Sequence, residues 1–427
     1  MMYLSRIRLR NVRCFESLDL RLDVSTEPVA WTVIAGDNST GKTALLRSIA
    51  IGLCDEASAA GLMKESDEGY IRRGCDEASI KLDLVHATRR DQRYQIKTTI
   101  QRIKGKKGSV DRVRQTTRPS KQPFPWKALF VAAYGAGRGV AGTGDIAGYT
   151  PINTMYNLFN YGEGLQNPEL MLWRHSDGVR IEKALATFTR TKRVHREASG
   201  VLVDGPWGDN MPLRDLADGY KGAILWFTDL LGWAIAWKRE MVDFADIRGI
   251  VLIDELEEHM HARWQRTVID DLRQILPGIQ FIVTTHSPLI ASSVGVVTAE
   301  ADNDKLFVLE LQDNNRVTAY DHEHMKGWRM DQVLASRAFR YQTHADPEFR
   351  EGLRRGSELL GKTRLSRKEK SELSRIKKGI RGAFFTSNRP DDRPAESKRR
   401  KALHEEIERL EQELFPGRLV NDTHKKN

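Results

Sequence analysis

The chain has 427 residues, of which 40% are hydrophobic and 30% are charged, and its formal net charge is +10. This composition is typical of a soluble globular protein that is long enough for two or three domains, and it argues against a disordered chain. The excess of Lys and Arg favours a polyanionic partner such as nucleic acid, without indicating any sequence specificity.

The cysteines are widely spaced and form no C-x-x-C pair: Cys14, Cys54 and Cys75. We expect free thiols in a reducing compartment. Residues 1–15 lack the apolar run of a signal peptide, and the most apolar helical segment, residues 222–237, is too short to span a bilayer. These features predict a cytoplasmic protein with no membrane segment.

The N-terminal region is predicted to form a sheet. Residues 3–24 alternate apolar and polar side chains, which indicates two strands joined by a turn, and residues 79–103 predict a further hairpin. We expect the strand at residues 31–35 to join this sheet. Residues 89–118 contain eleven Lys or Arg against two Asp, which is consistent either with a solvated loop or with a loop that docks nucleic acid or a partner.

The apolar strand at residues 31–35 runs directly into a glycine-bounded loop and then into an apolar-periodic helix. That context makes the G-x-x-x-x-G-K-T pattern a predicted polyphosphate site rather than an incidental turn, because backbone N–H groups and the helix N-terminus can face anionic oxygens. Lys42 is predicted to reach the β- and γ-phosphates, and the Thr43 hydroxyl to bind Mg²⁺. The nucleotide-binding residues are Gly36, Asp37, Asn38, Ser39, Thr40, Gly41, Lys42 and Thr43.

The middle of the chain is predicted to be an inserted helical subdomain, at about residues 140–212, with residues 150–198 helical. A short strand at residues 130–133 precedes it and leads into residues 134–138, whose glycines and Arg138 would suit an anion-facing loop. After it, Asp218 and Gly219 open a strongly apolar helix that offers a second potential anion site.

Two later apolar strands end in polar side chains. RGIVLIDE ends in Asp254 and Glu255, and QFIVTTHSP contains His286. Apolar runs without alternation indicate a sheet covered on both faces, so we predict a doubly wound, mostly parallel α/β core beside the N-terminal antiparallel sheet. Asp254 can hold the Mg²⁺ that Thr43 also binds, and Glu255 can deprotonate the attacking water. His286 can approach the γ-phosphate.

We place a boundary near residue 340. Residues 1–340 are the predicted ATPase head, and residues 341–427 are a basic, helical C-terminal region. Its last helix, residues 398–414, carries leucines and an isoleucine on one face and is therefore a predicted partner surface.

Over about residues 1–300 these motifs resemble those of ABC-type ATPases of the SMC/RecF/OLD superfamily. GDNSTGKT matches the Walker A motif, LADG the signature loop, IVLIDE the Walker B motif and TTHSP the switch-histidine region. Three further segments, NVRCF, YGAGR and DELEEHMHARWQ, are similar to those of small stand-alone members of the Septu and retron-associated antiviral type.

The resemblance implies two ATP molecules sandwiched between two heads, in a homodimer or a higher oligomer. The signature loop of each head completes the other subunit's site through Leu216, Ala217, Asp218 and Gly219. The family's signature serine is Ala217 here, so we expect a weaker contact across the dimer. The family's Q-loop glutamine has only two candidates, Gln92 and Gln95.

Three functional classes share these motifs. A transporter subunit keeps a full L-S-G-G-Q loop and lacks the early N-x-R-x-F element, so it fits poorly. The resemblance to Septu and retron-associated proteins favours a sensor ATPase that would hold a separate HNH or Toprim nuclease in check. An OLD-type protein with its own Toprim domain is disfavoured, because the region after residue 340 is too small and polar for such a domain. A RecF-like repair ATPase that binds DNA directly is the alternative. We therefore expect an ATP- and Mg²⁺-dependent ATPase that is not itself a nuclease.

Overall fold

The computed structural model describes most of the first three quarters of the chain. The described residues are 2–22, 30–65, 69–86, 89, 92–105, 108–120, 124–138, 149–160, 162, 164–174, 178–198, 200–238, 243–295, 304–312, 316–339, 355, 359, 366 and 368–376. The chain divides into two compact units, residues 1–342 and 343–427. In the second unit the described part is mainly a helical stretch at residues 368–376, and the predicted helix at residues 398–414 lies outside the described residues.

An antiparallel sheet of five strands occupies the N-terminal region, in the order β2-β1-β4-β5-β6. Its strands are β1 (Met2–Val12), β2 (Phe15–Arg21), β4 (Glu77–His86), β5 (Arg93–Gly105) and β6 (Gly108–Arg118). One face is buried and the other is polar, because side chains alternate along each strand. The predicted N-terminal antiparallel sheet is confirmed.

A second sheet of six strands forms the centre of the unit, in the order β14-β13-β3-β12-β11-β7. Its strands are β3 (Trp31–Gly36), β7 (Phe130–Tyr134), β11 (Gly249–Ile253), β12 (Ile279–Thr285), β13 (Lys305–Leu311) and β14 (Val317–His322). All neighbouring pairs are parallel except β13–β14. Every residue of β3, β7, β11 and β12 is buried, as a sheet covered on both faces requires.

Helices cover both faces of the central sheet. They are α1 (Lys42–Gly52), α2 (Glu56–Lys64), α3 (Pro151–Met155), α4 (Pro168–Arg174), α5 (Gly178–Thr189), α6 (Asp218–Lys238), α7 (Ala262–Gln265), α8 (Val268–Ile275), α9 (Pro288–Ala291) and α10 (Met330–Ala335). Adjacent sheet residues enter different cores: Val33 packs with α6 and α8, whereas Ile34 packs with α1 and the N-terminal sheet. The predicted doubly wound α/β architecture is confirmed.

Three local predictions are wrong. The strand at residues 31–36 belongs to the central sheet, since β3 pairs with β12 and β13. The basic segment at residues 89–118 is not a long loop, because β5 and β6 pair along most of it. The inserted region is helical only as far as Thr189, after which a three-stranded sheet forms from β8 (Arg193–Glu197), β9 (Gly200–Gly205) and β10 (Gly208–Pro212).

Among the described residues, no helix combines the length and the apolar character needed to cross a bilayer. The longest, α6, is instead buried along most of its length in the core of the first unit.

Candidate functional site

The loop between β3 and α1 has the geometry of a phosphate-binding loop. Ser39 (φ 65°) and Gly41 (φ 90°) are left-handed, which turns successive backbone N–H groups toward one side. A side chain on Gly41 would overlap the Cys14 sulfur and approach the Phe15 ring to 2.9 Å. Glycine is therefore required here by packing as well as by conformation.

Lys42 opens α1 and lies inside this loop. Its Nζ donates to the carbonyl oxygens of Gly36 at 2.8 Å and Asp37 at 2.9 Å. The residue is only 6% exposed, and burial lowers the pKa of its ammonium group to about 8, while Asp254 and Glu255 act in the opposite direction. The loop therefore holds the Lys42 ammonium group in a fixed position beside the cleft that the loop lines.

The Walker A and Walker B segments meet through one hydrogen bond. Thr43 Oγ1 donates to Asp254 Oδ2 at 2.6 Å, and Thr284 Oγ1 donates to Asp254 Oδ1 at 2.5 Å. Asp254 is 1% exposed. The carboxyl ends of β3, β12 and β11 lie side by side in the sheet, which brings these residues together across 211 positions of sequence.

Glu255 has a left-handed backbone (φ 48°) that is unusual for a non-glycine residue. Its N–H donates to Thr284 Oγ1 at 2.8 Å, and its carboxylate oxygen lies 4.0 Å from His286 Nε2. Both side chains line the same cleft as the phosphate loop. The structure therefore brings the two predicted catalytic residues together.

His286 is held by Glu257. The backbone N–H of His286 and the hydroxyl of Thr285 (2.7 Å) both donate to the Glu257 carboxylate. Burial, followed by the charge of Lys42, lowers the pKa of the imidazole, so the ring is neutral at neutral pH.

The cleft has a volume of about 880 Å³ and a basic wall. Four arginines line it beside the phosphate loop: Arg13, Arg47, Arg73 and Arg102. They lie in the turn after β1, in α1, in the segment before β4 and in β5. Arg47 Nε also donates to the carbonyl of Leu158 at 2.8 Å, and Arg102 Nε lies 3.4 Å from Asp111 Oδ1. This charge is suited to a polyphosphate ligand.

The signature loop faces a different cleft. Leu216 is 5% exposed and packs inward, whereas Ala217 and Asp218 are exposed at the start of α6. Ala217 and Gly219 line a second cleft, of about 870 Å³, together with His259 and other residues. Within one chain the signature loop is therefore not among the residues that line the phosphate-loop cleft.

Several sequence interpretations do not match this geometry. Arg138 is 2% exposed and its guanidinium donates to the carbonyls of Asp254 and Glu255, so it is buried inside the protein and does not line the phosphate-loop cleft. Gln92 and Gln95 donate to Tyr94 Oη and to the Asp83 carboxylate on the N-terminal sheet. Neither residue lines the phosphate-loop cleft.

Sequence reasoning assigned no roles to Glu257, Thr284 and Gln265, which orient the catalytic strands. Gln265 accepts a hydrogen bond from Ser287 Oγ at 2.6 Å and so ties α7 to the segment after His286. The DELEEHMHARWQ segment was the available signal for Glu257 and Gln265. Their function depends on β12, which the sequence alone does not place beside them.

Comparison with known proteins gives two family matches and several similar relatives. Residues 174–292 match the family described as "AAA domain, putative AbiEii toxin, Type IV TA system", and residues 6–122 match an AAA domain. The Septu protein PtuA of Bacillus mycoides (strain KBAB4) is 25% identical over 381 residues, which cover 88% of this chain and 50% of that protein.

Two retron proteins are also similar. The "Retron Ec83 probable ATPase" of Escherichia coli is 34% identical over 27% of this chain and 21% of its own length. The "Retron Vc95 probable ATPase" of Vibrio cholerae is 34% identical over 20% of this chain and 17% of its own length. The printed names of the two retron proteins describe probable ATPases, which is consistent with the joined Walker A and Walker B segments. The chain is similar to the Septu and retron proteins and matches AAA domains over residues 6–122 and 174–292.

The chain spans only half the length of the curated PtuA relative. Among solved structures, the SMC head domain from Thermotoga maritima has a TM-score of 0.45 at 12% identity, over 75% of this chain and 99% of that one. The recombination mediator protein RecF has a TM-score of 0.41 at 11% identity, over 74% and 98%.

Proposed function

We propose that this chain binds and hydrolyses ATP as an ABC-type ATPase, and that it acts as the sensor that regulates a separate nuclease in bacterial antiviral defence. The observation that carries the first part is the 2.6 Å hydrogen bond between Thr43 and Asp254, with Glu255 and His286 on the same cleft. This is the arrangement that in-line attack on a γ-phosphate needs.

Each residue has a role that follows from its position. Lys42 contributes a cation to the β- and γ-phosphates. Glu255 is the candidate base, because its side chain is 43% exposed and lines the phosphate-loop cleft beside His286. His286, which is neutral, can donate or accept a hydrogen bond at the γ-phosphate or the attacking water.

The residues present fit Mg²⁺. Thr43 offers a hydroxyl oxygen and Asp254 a carboxylate oxygen, and both are hard ligands. Among the residues that the structure describes, no group of three His, Cys, Asp or Glu could hold a metal ion by itself. Such a partial set suits Mg²⁺, which is usually bound by one or two side chains together with phosphates. When bound, the ion would neutralise developing charge on the phosphate oxygens.

The proposed ATPase activity also requires pairing of two heads. The signature loop lies exposed on a separate cleft, so it can serve a nucleotide only if a second copy presents it. We propose a homodimer of heads in which Leu216, Ala217, Asp218 and Gly219 approach the partner's phosphate loop, where the N–H groups at the start of α6 would face the γ-phosphate.

The regulatory role is supported by the similarity to PtuA, which extends over most of this chain, and by the retron matches. We propose that residues 341–427 capture an HNH or Toprim nuclease. The test is a pull-down of the full-length chain, and of the chain truncated after residue 340, with the protein encoded by the neighbouring gene. Capture that is lost on truncation, while ATP binding persists, is the expected result.

A cleavage assay completes this test. The pure full-length chain with ATP and Mg²⁺ is expected to leave plasmid and linear DNA intact, and cutting is expected only when the neighbouring protein is added. Metal-dependent cutting by this chain alone, lost on truncation, would place the nuclease in its own C-terminal region and overturn the sensor role.

Direct nucleic-acid binding is the second candidate function, and one surface favours it. The outward face of β4, β5 and β6 carries Lys81, Arg93, Lys97, Arg112, Arg114 and Arg118 (the basic sheet face). Lys81 pairs directly with Lys97 across the strands, an arrangement that destabilises a sheet by itself. None of the six forms an ion pair with another described residue, and Arg93 and Arg118 also line a neighbouring groove of about 700 Å³.

This surface is tested with a fluorescent duplex of about 25 base pairs, long enough to cover a module of this size. Lys97→Glu is expected to weaken DNA binding. It is also expected to reduce the magnitude of the negative slope of log association constant against log salt concentration by about one or more, because a phosphate contact is lost. Lys192→Glu is the control: Lys192 lies immediately before β8, away from the basic sheet face, and is paired with Asp209 at 3.2 Å. Equal effects of the two variants would remove the basic sheet face as the binding surface.

A further inference from the structure

One buried guanidinium group holds the backbone of the Walker B carboxylates. Arg138 Nη1 donates to the carbonyl of Asp254 at 2.6 Å, and its Nη2 donates to the carbonyls of Glu255 at 2.7 Å and Leu256 at 3.1 Å. Three consecutive carbonyl oxygens therefore converge on a single side chain. Arg138 is 2% exposed, so water does not replace these contacts.

The convergence depends on the left-handed backbone of Glu255. In a regular strand successive carbonyls point to opposite sides, and they cannot share one donor group. A φ of 48° at Glu255 costs free energy and persists only when its surroundings impose it. Thr284 supplies the other restraint: its Oγ1 accepts the Glu255 N–H at 2.8 Å, and its carbonyl accepts the Leu256 N–H at 3.0 Å.

Arg138 itself is fixed from two further sides. Nη1 donates to the carbonyl of Gly135 at 3.1 Å and lies 3.4 Å from the Glu258 carboxylate. These contacts connect the loop after β7 to the segment that follows the Walker B strand. Arg138 therefore contacts the backbone of Glu255 although Arg138 does not itself line the phosphate-loop cleft.

We propose that Arg138 is a positioning residue for ATP hydrolysis: by binding the carbonyls of Asp254, Glu255 and Leu256 it fixes the turn that aims the Glu255 carboxylate at the phosphate-loop cleft. The proposal rests on the proposed ATPase activity. Arginine is needed because its planar fork presents several N–H donors in fixed directions, whereas the lysine ammonium is a compact charge that cannot reach three separated acceptors.

The central test is Arg138→Lys, which keeps the charge and removes the fork. Turnover is expected to fall by about 10²-fold, the scale of a misplacement of about 1 Å, while the affinity for a fluorescent ATP analogue stays within about threefold. In a Glu255→Gln background the same substitution is expected to cause no further loss, because the base that Arg138 positions is already absent.

A second readout needs no nucleotide. Hydrogen exchange at the amides of residues 254–261 is expected to be faster in Arg138→Lys than in the parent protein, because the turn loses its anchor. Arg196→Lys is the matched control: Arg196 also donates to a backbone carbonyl, that of Leu172, and to Glu182 at 2.6 Å, but on the three-stranded sheet. It is expected to leave turnover and the exchange of residues 254–261 unchanged.

The outcomes separate the two proposals. A parent protein that binds ATP without hydrolysing it would overturn the ATPase function, whereas an active parent with an equally active Arg138→Lys variant would overturn the positioning role alone. Losses that multiply in the Glu255→Gln background would also overturn it. If Arg138→Lys does not fold, Glu258→Gln, which weakens one contact of the guanidinium, is expected to slow turnover and speed the same exchange; no change in either would overturn the inference.

Discussion

The carbonyl oxygen of His259 occupies the space in which a side chain on Gly219 would begin. His259 has a left-handed backbone (φ 61°) and follows the Walker B carboxylates, whereas Gly219 lies in the first turn of α6 within the signature loop. The two motifs of one head are therefore in direct backbone contact. A shift in the segment after Glu255 has to displace the start of α6.

This contact makes Gly219→Ala a sharp test. Because the obstacle is a backbone atom, the added methyl forces α6 or the His259 turn to move, and overpacking of this kind costs about 1–3 kcal/mol. We expect a lower free energy of unfolding and weaker ATP-dependent head pairing, measured by denaturation and by analytical ultracentrifugation.

Gly222→Ala is the matched control for this variant. It lies one turn further along α6, where a Cβ would meet only His259 Cδ2, at 3.9 Å. Alanine at a helix-interior position is expected to raise stability by about 0.5–1 kcal/mol. Equal behaviour of the two variants would show that the His259 contact does not constrain the signature loop.

Glu255→Gln separates binding from hydrolysis. The amide cannot accept the proton of the attacking water, so turnover is expected to fall by roughly 10²- to 10⁴-fold, while ATP binding persists because Lys42, Thr43 and Asp254 are intact. Lys42→Ala is expected to weaken binding itself. Phosphate release and equilibrium binding of a fluorescent analogue measure the two effects, and parental turnover in Glu255→Gln would exclude Glu255 as the base.

Ala217→Ser restores the hydroxyl that the signature loop lacks. If this loop reaches the γ-phosphate of a partner head, the added hydrogen bond to a charged acceptor is expected to contribute on the order of 1.5 kcal/mol at each of the two sites. Head pairing in ATP should become tighter by roughly tenfold for each occupied site, or turnover should rise. Unchanged sedimentation and turnover would mean that Ala217 does not face a bound nucleotide.

The depressed pKa of Lys42 predicts a pH dependence for nucleotide binding. Only the ammonium form is a cation, and its pKa is about 8 in the unliganded protein. Above that pH, nucleotide binding requires the Lys42 amine to take up a proton. The affinity for the nucleotide is therefore expected to fall as pH rises, approaching a loss of about tenfold for each pH unit. Below about pH 7 this group contributes no slope.

Calorimetry in buffers with different ionisation enthalpies measures the proton uptake. Uptake is expected to rise from near zero at about pH 6.5 towards one proton at about pH 9 in the parent protein. A Lys42→Met variant binds weakly and is expected to show no such rise. Equal uptake in the two proteins would assign the titration to another group.

Local sequence signals determined much of the phosphate site. The strand, the glycine-bounded loop and the helix follow one another within residues 31–53. Their phosphate-binding function can therefore be predicted without knowing the fold. Asp254, Glu255 and His286 could also be found, because apolar strands that end in polar residues indicate the carboxyl edge of a parallel sheet. Each motif directly follows its strand in the sequence, so its position at the end of that strand can be predicted without knowing the fold.

Tertiary structure alone decided which groups meet. Arg138 had the sequence context of an anion-binding loop, yet β7 lies beside β11, and this neighbour places the guanidinium against the Walker B carbonyls. The sequence offered no reason to exclude Gln92 and Gln95 as ligands of the nucleotide. The structure excludes them from the phosphate-loop cleft, because β5 pairs with β4 in the N-terminal sheet and their side chains donate to Tyr94 and Asp83. Strand order depends on contacts between segments that are distant in sequence, and periodicity within one segment carries no information about its neighbour.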